Sequence, residues 1–414
     1  MGLFSSEMIQ FPIYMDNNST TRCDPGVVET MLPIFSIHYG NAASRVHIPG
    51  RLAEDVVKQS REQVAALIGA EQGEIVFTSG ATEAVNLALK GAAEMYASKG
   101  NHIITTNIEH KAVLDTCAYL EIKGIEVTYL PVNGNGLISA ADVEQAIRPG
   151  TILISVMYAN NEIGTIMPIN EIGQIAKKHS VLFFTDATQA VGKIEVDVNR
   201  ENIDILSFSA HKMYGPKGVG ALYIRRKNPR VRLVPQIHGG GHEKGLRSGT
   251  LNVPAIAGFG KASAIALEEL DESYKKISRL RDKLEKALLK IPGTALNGDL
   301  VNRLPHVSNI SFDYAESSAL MMAMNSQLAV ASGSACTSAT MEPSYVLKAL
   351  GLTDDRAHGS LRFSLGRFNT EDEVDFVIGL VSETVIRLRE LNPTWNTLKG
   401  GDLETPLYQG GVNK

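Results

Sequence analysis

The chain has 414 residues, 44% of them hydrophobic and 21% charged, and a net charge of −5. That length and composition suit a two-domain soluble globular protein, and the acidic balance offers no nucleic-acid surface. Three widely spaced cysteines, Cys23, Cys117 and Cys336, argue against a disulfide framework and for a reducing, cytoplasmic setting; no apolar run reaches the roughly 18 residues of a membrane span, and no basic n-region of a secretory signal opens the chain.

In chain order, 13–18 reads as a short strand ending in polar residues. A helix over 25–35 is opened by Asp24 as N-cap with Pro25 at its first position. Residues 39–44 form a loop, and 53–68 has helical periodicity with Val56, Val57, Val64 and Leu67 on one side. Strand 74–78 turns at Ser79-Gly80 into a helix over 82–99. The unit recurs: strand 102–106 and helix 111–123, strand 126–130 and helix 140–147, strand 152–158 and helix 169–179, then strand 182–186. Strands alternating with helices imply a mostly parallel sheet covered on both faces, with ligands beyond the carboxyl ends of its strands.

Two apolar runs, 203–208 and 219–224, flank Ser209-Ala210-His211-Lys212 and a Gly-Pro-Lys-Gly turn. A long helix over 256–289, charged from Glu268 onward, can bridge two domains. Beyond it, strands are expected at 308–312 and 361–364, and helices at 317–324, 345–349 and 371–391. The expected division is a large α/β domain over 13–265, a smaller α+β domain over 266–398 joined by 1–12, and a mobile tail over 399–414.

Residues just after strands carry the candidate chemistry. Gly80-Ala81-Thr82 opens a helix, whose free N–H groups and positive dipole end suit a phosphate. His110 closes a strand, where it can stack on a ring, shuttle a proton or simply be satisfied by local backbone. Asn161 in Asn160-Asn161-Glu162 can donate to a phenolic oxygen. Asp186 ends an apolar strand and needs a cationic partner, which a protonated pyridine nitrogen or a structural ion pair would supply; Gln189 is three residues on. Ser209 and His211 can donate to an anion beside Lys212, an amine framed by two strands and suited to a Schiff base. Strand alternation puts Arg362 and Ser364 on the face opposite Leu361, Phe363 and Leu365, and the arginine can hold a carboxylate in bidentate fashion or pair with an acidic neighbour. Cys336 lies in a polar run of small residues, unlike a core cysteine. A phosphate cradle, a carboxylate, a ring-stacking histidine, a lysine, an arginine and a thiol together describe pyridoxal phosphate chemistry on an amino acid, with a sulfur acceptor added.

The motifs FTSGATE (77–83), Glu109-His110-Lys111, NNEIG (160–164), DATQ (186–189), SFSAHKMYGPKG (207–218), GGGHEKGLRSGT (239–250) and SGSACTSA (332–339), in this order, resemble the cysteine desulfurases of the IscS/NifS type. The resemblance runs from about residue 13 to 395 and implies a homodimeric, fold-type I, aminotransferase class V-like enzyme dependent on pyridoxal phosphate. It implies that Lys212 bonds the cofactor, His110 stacks on the ring, Asp186 pairs with the ring nitrogen, and Gln189 and Asn161 contact the ring oxygen. Ala81, Thr82, Ser209 and His211 would hold the phosphate, joined by the partner subunit's Thr250. Arg362 and Asn41 would bind the carboxylate of L-cysteine. Cys336 would take the sulfur as a persulfide, leaving L-alanine, and can also serve as a transient iron–sulfur ligand; no resident metal is expected. The SGSACTSA form resembles the housekeeping iron–sulfur assembly group, which implies an IscU-like scaffold partner and further acceptors such as those of tRNA thiolation. Ser19, Ala42 and Gly359 depart from the residues usual in the family, as do the segment 323–327 and the tail. An aminotransferase or selenocysteine lyase is the alternative enzyme, and an inactive scaffold the alternative outside catalysis.

Overall fold

The computed structural model describes residues 9–332 and 342–398; Cys336, residues 1–8 and the tail from 399 lie outside the described residues. The chain begins with β1 (Ile13–Tyr14), α1 (Pro25–Ser36) and α2 (Ile48–Ala66). Strands and helices then alternate: β2 (Ile75–Thr78), α3 (Ala81–Met95), β3 (His102–Thr106), α4 (Lys111–Ile122), β4 (Glu126–Leu130), α5 (Ala140–Ala146), β5 (Thr151–Ser155), α6 (Ile169–His179), β6 (Leu182–Asp186), β7 (Ile205–Ser209) and β8 (Gly220–Ile224).

These seven strands after β1 form one sheet in the order β2-β8-β7-β6-β5-β3-β4. β7, β6, β5, β3 and β4 are parallel, and β8 runs antiparallel to both of its neighbours. Successive side chains enter opposite cores, as a pleated strand requires. Ile104, Phe183 and Leu206 pack with Val57 and Val64 of α2, whereas Ile103, Phe184 and Ile205 pack with Val85 and Leu89 of α3 and Val113 of α4. With both faces covered, β3 and β7 are buried at every position, their His, Thr and Ser residues included, so neither shows an exposed face.

Helix α7 (Val253–Leu288) is a single 36-residue element. Its first half, including Ile256 and Phe259, packs in the core beside the large sheet. Its second half, including Ile277, Leu280 and Leu284, packs in a separate core. After α7 come β9 (Thr294–Asn297), β10 (Val307–Phe312), α8 (Ser317–Met324), β11 (Leu328–Ala329), β12 (Ala331–Ser332), α9 (Tyr345–Ala349), α10 (Asp354–His358), β13 (Ser360–Ser364), α11 (Glu371–Glu390) and α12 (Pro393–Leu398). β10, α8, β11, β13 and α11 build the second core, whereas Val346 and Leu347 of α9 and Ala357 of α10 join the core beside the large sheet. A four-stranded antiparallel sheet, β12-β13-β10-β9, forms the floor of the second core. Ile13 and Met15 also enter this core, and β1 pairs in parallel with β11. Helix α11 carries a full capping box: Thr370 Oγ1 accepts from Glu373 N–H at 3.2 Å while Glu373 Oε2 accepts from Thr370 N–H at 3.1 Å.

Some expected boundaries differ. The strand read over 13–18 stops at Tyr14, because Asn17 N–H and Asn18 N–H turn aside to Ser364 O and Ser364 Oγ, at 3.1 and 2.9 Å. The helix read from 53 starts at Ile48, where Pro49 fits the first turn and His47 Nδ1 accepts from Gly50 N–H at 3.1 Å. Strands β9, β11 and β12 and helix α10 were not expected from the sequence; at two to five residues they carry too little periodicity to read.

Candidate active site

The carboxyl ends of the parallel strands open into a cavity of about 940 Å³ between the two cores. Ala81, Thr82, His110, Asn161, Asp186, Gln189, Ser209, His211, Lys212 and Arg362, far apart in sequence, all line it. Most arrive by the same device: a buried strand ends, and its last residue or those two to six positions on present their side chains at the rim; Arg362 instead projects from within β13 of the smaller sheet. Gly220 allows β8 to pass beneath the start of α3, since a Cβ there would sit 2.7 Å from Gly80 Cα.

Lys212 Nζ donates to Asn18 O and to Ser19 O, the latter at 2.7 Å. Asp186 is 6% exposed, and its Oδ1 accepts from Thr188 N–H at 3.0 Å and from the Thr188 hydroxyl. Among the described residues no cation lies within ion-pair distance of Asp186. Asn161 Oδ1 is buried without a partner among the described residues. His110 Nδ1 caps α4 by accepting from Ala112 N–H at 3.1 Å, so the neutral ring carries its proton on Nε2. Pyridoxal phosphate fits these residues. Its ring nitrogen would give the buried Asp186 a cation, its ring oxygen would accept from the Asn161 side-chain N–H, and its phosphate would meet the open N–H groups of α3 with Ser209 and His211.

Arg362, on the cleft face of β13, is 3% exposed. Its Nη1 donates to Asn161 O at 2.9 Å, and its Nη2 donates to Asp16 Oδ1 at 2.7 Å and Ser19 Oγ at 2.9 Å. Ser19 Oγ in turn donates to Asp16 Oδ1 at 2.9 Å. Asp16, Asn18 and Ser19 were not among the residues expected here. The polar run Asn17-Asn18-Ser19-Thr20 after an apolar strand is the signal that could have found them. Gly359, another departure from the family, lies where a Cβ would come 2.7 Å from Phe312 O, so the close passage of β10 requires glycine.

Two expected residues, Asn41 and Thr250, are not at this cleft. Asn41 is exposed, with Oδ1 accepting from Ala43 N–H at 2.9 Å. Thr250 is also exposed, in a segment tied down by Arg247, which grips Glu83 of α3 at 2.8 Å, and by Glu243, which takes Arg61 at 2.7 Å and Phe77 N–H at 2.8 Å. Cys336 lies outside the described residues. Where the described chain resumes, Ser344 donates to Glu162 Oε2 and Tyr345 Oη donates to Glu109 O at 2.6 Å, joining it to the loops that carry Asn161 and His110.

Burial sets the charge of several groups here. It pushes the Glu109 carboxyl up to about 8, aided by the Asp186 charge and opposed by hydrogen bonds from Met157 and Thr106. It pushes Glu162 up to about 7, against the Ser344 hydroxyl, Arg362 and His110. It lowers His211 to about 4, with Lys212, Lys217 and Lys193 adding to the effect, so this ring is neutral at pH 7.

The aminotransferase class-V family model matches residues 13–377. A cysteine desulfurase IscS of Methylococcus capsulatus is 54% identical over 398 residues, covering 96% of this chain and 98% of that protein. One from Anaeromyxobacter sp. is 55% identical over 394 residues, covering 95% and 97%. Among solved structures, a NifS-like protein superposes with a TM-score of 0.85 at 40% identity, covering 91% of this chain and 100% of that one. SspA in complex with cysteine superposes with a TM-score of 0.77 at 41% identity, covering 86% and 99%.

Proposed function

The chain belongs to the aminotransferase class-V family, among its IscS-type cysteine desulfurases, and from that premise we propose how its residues take sulfur from L-cysteine. The observation that carries the reading is the convergence of Lys212, Asp186, His110 and Arg362 on one cavity. Pyridoxal phosphate, when bound, supplies a carbonyl for amine attachment and a ring that accepts the electron pair released at the substrate α-carbon.

Lys212 Nζ holds the cofactor at rest and, once free, takes the substrate α-proton. Asp186 supplies the negative charge that keeps the ring nitrogen protonated, and Thr188 keeps that carboxylate aimed. Ala81, Thr82, Ser209 and His211 hold the phosphate, and Asn161 and Gln189 face the ring oxygen. Arg362 binds the substrate carboxylate, its guanidinium oriented by Asp16, Ser19 and Asn161. Cys336, as thiolate, bonds the substrate sulfur. The Cβ–S bond breaks with its electrons left on carbon, and a proton added at Cβ together with return of the proton held by Lys212 to the α-carbon gives L-alanine. His110 Nε2 moves a proton at this step.

The same reading makes the protein a homodimer. Leu32, Phe35, Ile37, Tyr39, Val46 and Ile48 are exposed along one stretch of chain, apolar side chains that a second copy would cover. A second copy there would bring Asn41 and the partner subunit's Thr250 toward the site. The persulfide would pass to an iron–sulfur scaffold protein and to other acceptors, including those of tRNA thiolation. No described helix is long and apolar enough to cross a membrane, and the unpaired thiols of Cys23 and Cys117 support a reducing cytoplasm. We also propose two domains, 13–265 and 266–398 with 1–12; the packing of Ile13 and Met15 in the second core supports extending the N-terminal share of the smaller one through β1.

Cys336→Ser tests the reading. The variant should bind cofactor and cysteine as the parent does, yet form no persulfide by mass spectrometry and no alanine above background, since a hydroxyl is a far poorer nucleophile toward sulfur than a thiolate. Alanine produced at the parent rate would overturn it.

A further inference from the structure

Lys193 lies behind the cleft and has no part in the chemistry above. It follows Gln189 by four residues, in a turn closed by Ala190 N–H and Val191 N–H on Ala187 O, at 2.9 and 3.0 Å, and by Lys193 N–H on Ala190 O at 3.0 Å. Gly192 in this turn has φ +76°, and a Cβ there would press within 3.0 Å of Met213 Cβ, so the turn is held tightly against the loop after Lys212. Lys193 Nζ donates to Gln189 Oε1 at 3.0 Å. Among the described residues no carboxylate lies within ion-pair distance of this amine. Burial depresses it well below the ordinary lysine range, with the neighbouring Lys212 and Arg362 adding to the effect. Such a lysine is costly to keep unless its hydrogen bond is needed.

The bond has a directional consequence. An amide has one accepting and one donating end, and an amine can only donate to the oxygen. With Oε1 held by Lys193, Gln189 Nε2 must face the other way. It donates to Asn18 O at 3.0 Å, the same carbonyl that accepts from Lys212 Nζ. Gln189 is 5% exposed and lines the cleft, so its second Nε2 proton is the one available to a ligand. A rotated amide would turn an oxygen toward Asn18 O and toward any ligand oxygen.

We infer that Lys193 is a positioning residue: its amine fixes the Gln189 amide so that the N–H end, not the carbonyl, is presented to the ring oxygen of bound pyridoxal phosphate. This rests on the cofactor placement proposed above. It extends that site by one layer, to a residue that touches neither cofactor nor substrate.

The test is a double-mutant cycle on the full-length protein, with Lys193→Met, Gln189→Ala and the two combined. The readouts are the dissociation constant of pyridoxal phosphate from the apoprotein and the visible absorption maximum of the bound cofactor. Each single variant should weaken binding about fivefold, the worth of one hydrogen bond, and move the maximum in the same direction. The double variant should match Gln189→Ala alone, because Lys193 acts only through that amide. Unchanged binding in Lys193→Met beside weakened binding in Gln189→Ala overturns the inference, as does a double variant weakened about 25-fold, the product of independent effects. Unchanged binding and colour in Gln189→Ala overturns the placement of Gln189 against the cofactor and the inference with it. Lys193→Leu serves as a second apolar variant. If neither it nor Lys193→Met folds, the amine serves the fold rather than the amide, which also overturns the inference.

Discussion

Replacing Glu109 by glutamine should make the protein's stability less sensitive to alkali. Glu109 is fully buried beside His110. Its Oε1 accepts from Met157 N–H at 2.7 Å and from Thr106 Oγ1 at 3.0 Å, while Oε2 is buried without a partner among the described residues. Burial raises the carboxyl from 4.5 to about 8. Between those values the folded protein holds a proton that the unfolded chain has released. Stability from this group is therefore complete below about pH 4.5 and is lost as pH rises through about 8. At 1.36 kcal/mol per pH unit, the loss comes to about 4–5 kcal/mol. Glutamine keeps the accepting oxygen and never ionises. Urea midpoints of parent and Glu109→Gln, measured from pH 5 to 9, should lie close together at the acid end. They should diverge in the variant's favour at the alkaline end, with the slope against denaturant unchanged. A constant gap across that range would mean that the carboxyl does not change charge there, and the reasoning fails.

Lys212→Ala should abolish the near-visible band of the bound cofactor and its capture by borohydride while the fold persists; capture at another lysine would refute the assignment. Asp186→Ala should weaken cofactor binding at least tenfold, the scale of a lost charge-assisted hydrogen bond, measured on the apoprotein; parent-like binding would remove Asp186 from the ring nitrogen. Arg362→Ala should raise KM for L-cysteine about 10- to 100-fold through loss of the carboxylate clamp, with the visible band of the cofactor retained. An unchanged KM would place the substrate carboxylate elsewhere.

The amino-acid sequence by itself determined the large sheet. β3, β4 and β6 begin and end at the residues expected, because each follows a helical segment in a repeating strand–helix pattern that is visible without a partner. It also determined the rim residues Asp186, His110, Asn161 and Lys212, since parallel topology puts the residues following each strand at one edge. Tertiary structure decided what those residues touch. Asn18 and Ser19, whose carbonyls receive Lys212, come from 194 and 193 positions away, brought there by hydrogen bonds from Asn17 N–H and Asn18 N–H to the carbonyl and hydroxyl of Ser364 that no local pattern announces. Arg362 read equally well as a substrate clamp or an ion-pair member, and the fold gives it Asp16, 346 positions away. Lys193 reads as a surface lysine in any window of sequence. Only the packing of its turn against Met213, and of Gln189 against Asn18, turns its amine inward, because burial and the direction of a hydrogen bond belong to the assembled chain.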